Sequence, residues 1–376
     1  MADYYFNFPP ITSLTLPQQS ALNEPSAIAL SGGPGTGKSF VSLWRHISNH
    51  KREDSIKSQL LTFTTSLAYY LKASSNSESE EAANYVDSTN RWYYNNATHR
   101  DEIIVDEAQD MPVEFYENPQ KLQGYSSNIS YGADDKQILK AESKRADGHF
   151  NLDVCSPEGE LQRIFSNRKY ALDKNFRNTK GILQFANYAF TDAFIPVNEL
   201  NSCTESGDKP SFLVSEGNLD LQNENIKSII RQLNADEYNI AILTPLNSTS
   251  GTSWQKLTAK YYYELLKDEF DVSYYGHTEH AGVGLTKMKN IHITPFKSAK
   301  GLEFDTVIIP CFNYYTFNFN KVGWRDFFVG VTRAKSSLFL FSECDIPALA
   351  SVVDKQVLST QANSPTDSLE TDDLPF

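Results

Sequence analysis

Eight residues near the N-terminus, Gly32-Gly33-Pro34-Gly35-Thr36-Gly37-Lys38-Ser39, constrain this chain more than any other stretch. They match the phosphate-loop pattern G-x-x-x-x-G-K-S/T in full. Glycines let successive backbone N–H groups curl around a β-phosphate, Lys38 reaches the β and γ oxygens, and the Ser39 hydroxyl is a ligand for Mg²⁺. The flanks fit as well. Ser26–Leu30 reads as a short buried strand, and Phe40–Ser48 reads as an amphipathic helix through Phe40, Val41, Leu43, Trp44 and Ile47. Phosphates then sit at a helix N-terminus, where the dipole and the unpaired N–H groups favour anions. A glycine-rich turn without a ligand would acquire this strand–loop–helix context only by accident.

A second acidic element belongs with the loop. Ile103-Ile104-Val105-Asp106-Glu107 is an apolar strand ending in two carboxylates. A buried strand carries Asp106 rigidly to Mg²⁺ beside Ser39, and Glu107 is placed to polarise an attacking water. An apolar strand ending in an acidic turn is unremarkable alone; downstream of a complete phosphate loop it is a Walker B element.

Between these landmarks, short apolar runs alternate with helical patterns, which predicts an α/β fold with parallel sheets. Strands are predicted at Leu60–Thr64, Ile103–Asp106, Asn239–Thr244, Asn290–Ile293, Thr306–Pro310 and Ser337–Phe341, and helices at Gly181–Asp192 and Ser253–Leu266. The length of 376 residues accommodates two such units. The expected division is 1–173, with a small insertion at 73–100, then 174–350, then a disordered acidic tail at 351–376. Ala73–Asn90, Asn247–Ser253 and the tail from about Gln356 read as loops.

Composition narrows the class. Hydrophobic content of 40% and charged content of 22% are those of a soluble globular protein. No apolar run reaches bilayer length, and the first residues lack the layout of a signal peptide. Cys155, Cys203, Cys311 and Cys344 are far apart, which suits a reducing cytoplasm and offers no metal site. His277 and His280 have no neighbouring cysteine, so they read as a surface loop. The net charge of −13 argues against a nucleic-acid partner, but acid is concentrated in Ala73–Asn90 and in Gln356–Phe376, neither of which contains Lys or Arg. A basic groove elsewhere stays open.

Asp106-Glu107-Ala108-Gln109-Asp110 resembles motif II of the superfamily 1 helicases of the UvrD/Rep/PcrA type, and the other motifs follow in that family's order. Leu16-Pro17-Gln18-Gln19-Ser20-Ala21 is similar to the Q motif, which implies that Gln18 reads the adenine edge. Leu61-Thr62-Phe63-Thr64 resembles motif Ia, which lies along the single strand. Gly132-Ala133-Asp134-Asp135-Lys136-Gln137 resembles motif III and puts Gln137 near the γ-phosphate. Leu172-Asp173-Lys174-Asn175-Phe176-Arg177-Asn178 resembles motif IV, which implies that Phe176 stacks on adenine and Arg177 touches the γ-phosphate. Lys300-Gly301-Leu302-Glu303-Phe304-Asp305 is similar to motif V, with Glu303 near the ribose. Val331-Thr332-Arg333-Ala334-Lys335 is similar to motif VI, with Arg333 as a second arginine finger. The resemblance runs from about Leu16 to Phe341 and implies two tandem RecA-like domains with nucleotide in the cleft between them.

The chain also departs from that pattern. Insertions are short, Ile138-Leu139-Lys140-Ala141-Glu142 stands where an aromatic Trp-Arg segment usually follows motif III, and Phe296-Lys297 stands where motif V usually has a histidine. Other aromatics are available for stacking on bases, in Trp92-Tyr93-Tyr94, Tyr261-Tyr262-Tyr263 and Phe312-Asn313-Tyr314-Tyr315. The strand path is expected along Thr62, Phe63 and Thr64, with Trp92 or Tyr93. The last residues, Glu370-Thr371-Asp372-Asp373-Leu374-Pro375-Phe376, are similar to the acidic tip of bacterial single-stranded-DNA-binding proteins. That likeness implies docking of Asp372, Asp373, Leu374, Pro375 and Phe376 on a repair, replication or nuclease partner.

These readings converge on a Mg²⁺- and ATP-dependent translocase or helicase on single-stranded DNA or RNA, moving 3′→5′. The alternative is a regulatory, DNA-stimulated NTPase subunit that controls a partner nuclease without unwinding. A small-molecule kinase would leave motifs IV to VI unexplained.

Overall fold

The computed structural model describes residues 3–52, 56–138, 150–190, 194–233, 237–249, 252–274, 288–316 and 324–359. Among these residues thirteen strands fall into two sheets. The first holds β1 (Ile28–Ser31), β2 (Ser58–Thr62), β3 (Val86–Ser88), β4 (Glu102–Val105), β5 (Ile129–Ala133) and β6 (Arg168–Ala171) in the order β3-β2-β4-β5-β1-β6. The second holds β7 (Ser211–Val214), β8 (Ile240–Thr244), β9 (Val272–Tyr274), β10 (Ile291–Pro295), β11 (Phe304–Ile309), β12 (Ala334–Ser342) and β13 (Asp354–Val357) in the order β13-β7-β12-β11-β8-β10-β9. Every pairing in both sheets is parallel.

Parallel strands need covered faces, and alternate side chains feed the two layers. In the first sheet, Leu60 and Ile104 join one apolar cluster with Leu43, Ile47 and Leu71. Leu61, Ile103 and Val105 join the opposite cluster with Trp92, Phe115 and Tyr116. In the second sheet, Ala241, Leu243, Val307 and Ile309 face one core, while Ile240, Ile242 and Ile308 face the other. The strands expected from the sequence are all present, each within three residues of its expected ends.

Two loop expectations are overturned. Ala73–Asn90 contains the end of the helix Thr65–Glu78, the helix Glu80–Ala83 and the edge strand β3. The Ser/Glu-rich composition hid a segment that buries Ala82, Ala83 and Val86. The tail expected at 351–376 begins instead with β13, which pairs with β7 from Asp354 to Val357. The proposed docking residues Asp372–Phe376 and the pair His277/His280 lie outside the described residues. No described helix is long and apolar enough to cross a membrane.

The segment between the sheets is tied to both. Leu172 N–H donates to Ser31 O at 2.7 Å, Asn175 Nδ2 to Pro34 O at 2.6 Å, and Phe176 N–H to Gly35 O at 2.9 Å. Two residues later Asn178 Nδ2 donates to Thr332 O and Ala334 O at 3.0 and 2.6 Å. Asn175 Nδ2 also donates to Asn178 Oδ1 at 3.3 Å. The connection thus pins the glycine loop to the strand that begins at Ala334.

Candidate functional site: a cationic cleft between two sheets

In open parallel sheets, ligands collect beyond the carboxyl ends of the strands. Here the glycine loop follows β1, Asp106 and Glu107 follow β4, and Asp134 to Gln137 follow β5, so three adjacent strands deliver the first half of the site. Gly35 and Gly37 have φ of 76° and 89°, a region closed to most side chains, and Gly37 caps the helix Lys38–Lys51. Lys38 Nζ donates to Gly32 O and Gly33 O at 2.7 and 3.0 Å. The second sheet supplies Lys300 and Glu303 ahead of β11, and Arg333 ahead of β12. A cavity of about 290 Å³ lies between, lined by Pro34–Phe40, Glu107, Gln137, Phe176, Arg177, Glu303 and Arg333 among others.

Asp106 is buried, and neither of its carboxylate oxygens has a full hydrogen-bond partner. Burial and the neighbouring Glu107 charge raise its carboxyl, against the pull of the Ser39 hydroxyl, Lys38 and Lys300. A buried carboxylate without partners costs several kcal/mol unless a cation meets it. The residues therefore fit Mg²⁺, which Ser39 and Asp106 would hold. Glu107 sits in the left-handed region, φ 59° and ψ 42°, which is strained for a residue with a side chain. Its side chain lines the cleft, where Gln109 Nε2 donates to the carboxylate at 2.6 Å and Lys300 Nζ stands 3.2 Å away. Burial alone would raise Glu107; Lys300, Lys38 and the Gln109 amide hold it below its ordinary value.

Lys300 crosses from the second sheet to the first. Fully buried, it pairs with Asp110 and Glu107 and donates to Gln137 O at 2.7 Å. Burial opposes its charge, yet these two carboxylates hold its ammonium above the ordinary value. Arg333 also crosses. Its guanidinium donates to Val329 O, Leu302 O, Thr332 Oγ1 and, at 2.9 Å, to Gln137 Oε1. Burial and the charge of Arg177 push it down to about 9, against Glu107, Glu303 and Asp134. Arg177 pairs with Glu303 at 3.1 Å. Gln137 is the meeting point, since its Nε2 donates to Asp134 Oδ2 at 2.7 Å while Oε1 accepts from Arg333. Phe176, 37% exposed, turns its ring to the cavity beneath Lys174 Nζ at 5.0 Å.

Other assignments change. Gln18 lines the cavity, where Nε2 donates to Thr36 O at 3.0 Å and Oε1 accepts from Thr15 N–H at 2.9 Å. This capping box fixes the helix Leu16–Leu22 and leaves the amide a second N–H and a second lone pair. Trp92 is 1% exposed, packed edge-on against Tyr125 in the core, so it lines no strand path. Thr62, the last residue of β2, is buried too. Thr64 spends its hydroxyl on Leu67 N–H and Lys300 O. Of the expected contacts, Phe63, Thr64 and Tyr93 are half-buried, while Tyr94 is 78% exposed. Tyr262 and Phe312 are core residues.

Sequence reading also missed Glu199. It lies on the helix Val197–Asn201, 5% exposed, with Oε1 unpartnered, and presses on the phosphate loop so closely that a Cβ on Gly33 would meet Oε1 at 2.0 Å. Burial raises its carboxyl; Lys136 and Lys38 pull it down, and Asp134 pushes it up. A negative charge at that distance from bound phosphates is repulsive. Glu199→Gln should therefore tighten binding of nucleoside triphosphate about tenfold, an effect of the size such a repulsion gives at protein-like screening. Equilibrium titration reads it, and unchanged or weaker affinity would assign Glu199 to packing alone.

Two parallel α/β sheets, one carrying a phosphate loop and the other presenting Arg333 to it, define a fold of tandem RecA-like units. Residues 277–343 match the UvrD-like helicase C-terminal domain. Among curated proteins none matches the chain. Solved structures include the PRRSV helicase, with 11% identity and a TM-score of 0.42; the alignment covers 87% of this chain and 54% of that one. The chain thus spans about half the length of that helicase.

Proposed function

We propose that the chain hydrolyses ATP in this cleft and uses the cycle to move along single-stranded nucleic acid, as a superfamily 1 translocase or DNA helicase running 3′→5′. The observation that carries the reading is convergence: Lys38 from the first unit, Arg177 from the connection and Arg333 from the second unit all line one glycine-walled cavity. In a chain of net charge −13, a small cavity lined by four cations (Lys38, Arg177, Arg333 and Lys335) against two carboxylates (Glu107 and Glu303) calls for a polyanion. Lys38 would exchange its carbonyl partners for β and γ oxygens, and the two guanidinium groups would take charge developing on the γ-phosphoryl group. Mg²⁺, held by Ser39 and Asp106, would neutralise phosphate charge. Glu107, kept ionised by Lys300, is the group to orient and deprotonate the attacking water. Because Gln137 and Lys300 bond across the cleft, loss of the γ-phosphate changes contacts between the units and supplies the motion.

The test is ATP turnover with and without single-stranded DNA or RNA. We expect turnover to rise at least severalfold with nucleic acid and to vanish for Lys38→Ala; no stimulation by any strand would sink the motor reading. The regulatory alternative is favoured by one feature: residues 65–91 form helices and an edge strand of the sheet rather than an inserted domain. A 3′-tailed duplex separates the two, since strand separation by the isolated chain argues against a purely regulatory role.

A further inference from the structure

We propose that Asn178 is a positioning residue for hydrolysis: with Asn175 it fixes the backbone on both sides of Arg333 against the phosphate loop. The assignment rests on the nucleotide reading above and concerns what keeps Arg333 in register with Lys38.

The two asparagines form a short chain of hydrogen bonds from one unit to the other. Asn175 Oδ1 accepts from Arg177 N–H at 3.0 Å and from Asn178 N–H at 2.8 Å, so the side chain closes its own turn. The same carboxamide donates to Pro34 O in the phosphate loop. It also packs on Gly35, where a Cβ would meet Asn175 Nδ2 at 2.9 Å. Asn175 Nδ2 passes the link on to Asn178 Oδ1. Asn178 Nδ2 then donates to Thr332 O and Ala334 O, the carbonyls on either side of Arg333. Thr179 N–H extends the contact to Lys335 O at 3.2 Å, and Phe304 N–H donates to Arg333 O at 3.0 Å. Asn175, Asn178 and Arg333 are all buried, so water does not readily replace a lost donor.

This geometry separates position from chemistry. The Arg333 guanidinium is aimed by Val329 O, Leu302 O and Thr332 Oγ1 of its own unit and by Gln137 Oε1 across the cleft. The asparagine pair instead refers the arginine's backbone to the loop that would hold the phosphates. Neither asparagine lines the cavity. A carboxamide suits the task, because one nitrogen carries two donors for two carbonyls while the oxygen accepts from Asn175. Misplacing a catalytic group by about 1 Å can cost about 10²-fold in rate. The link therefore acts on the transition state through Arg333, and not on binding of the ground state.

Single-turnover ATP hydrolysis and equilibrium ATP binding by the full chain test the assignment, in a cycle of wild type, Asn178→Ala, Arg333→Ala and the double variant. Asn178→Ala should slow hydrolysis about 10²-fold. Its ATP affinity should stay at the wild-type level, which also verifies that the variant is folded. In the Arg333→Ala background the same change should cost nothing further, since nothing is left to position. Asn178→Ser, which keeps one donor, should lose part of the rate, and it carries the cycle should the alanine variant fail to bind nucleotide. An equal loss in both backgrounds overturns the assignment and makes Asn178 a general support of the fold. A wild-type rate in Asn178→Ala, or a loss confined to ATP affinity, overturns it too, while leaving the nucleotide site standing. Absence of ATP hydrolysis by the wild-type chain removes the nucleotide reading itself.

Discussion

Lys300→Met will leave Glu107 and Asp110 buried without their shared cation, and the chain should lose about 3–5 kcal/mol of stability, the usual cost of orphaning a buried charge. Methionine preserves most of the volume, so packing contributes little to the loss. The measurement is the denaturant midpoint at constant slope. It has a second signature. Without the ammonium the two carboxylates become easier to protonate in the folded state than in the unfolded one. Stability conferred by that proton uptake grows as pH falls, so the deficit should be smaller at pH 5 than at pH 8. A loss below about 1 kcal/mol, the range of exposed pairs, would show that water reaches the network.

Arg333→Ala carries the largest expected effect on catalysis. Arginine fingers contribute about 10³–10⁵ in turnover, and Arg333 already touches Gln137 across the cleft. Single-turnover hydrolysis should fall by about that factor, with ATP affinity changed far less, because the interaction strengthens as charge builds in the transition state. Arg333→Lys should recover little, since an ammonium cannot reproduce the forked donors. Turnover within tenfold of wild type would assign Arg333 to holding Val329, Leu302 and Thr332 together.

What could be read from the sequence was local. The glycine loop, Asp106 and Glu107 declare themselves because their chemistry is set by neighbours in the chain and by apolar strands on either side. The sheets followed from runs such as Ile103–Val105 and Thr306–Pro310, whose both-sided burial leaves no polar alternation. Edge strands β3 and β13 escaped because an edge tolerates Asp, Ser, Lys and Gln. Trp92 was misassigned because an aromatic pattern does not say which ring faces water. Lys300 and Glu199 act through contacts 163–190 residues away and at Gly33, and no spacing rule links them.

The four acceptors around Arg333 have a kinetic meaning. In this structure those acceptors already satisfy the guanidinium, so on the proposed reading a γ-phosphate would gain only the difference between its charged oxygens and the neutral groups it displaces. The same acceptors would take the guanidinium back on phosphate release. Resetting the site would then be an internal exchange of partners, with no stage at which a buried cation is left bare and a low barrier to starting the next cycle.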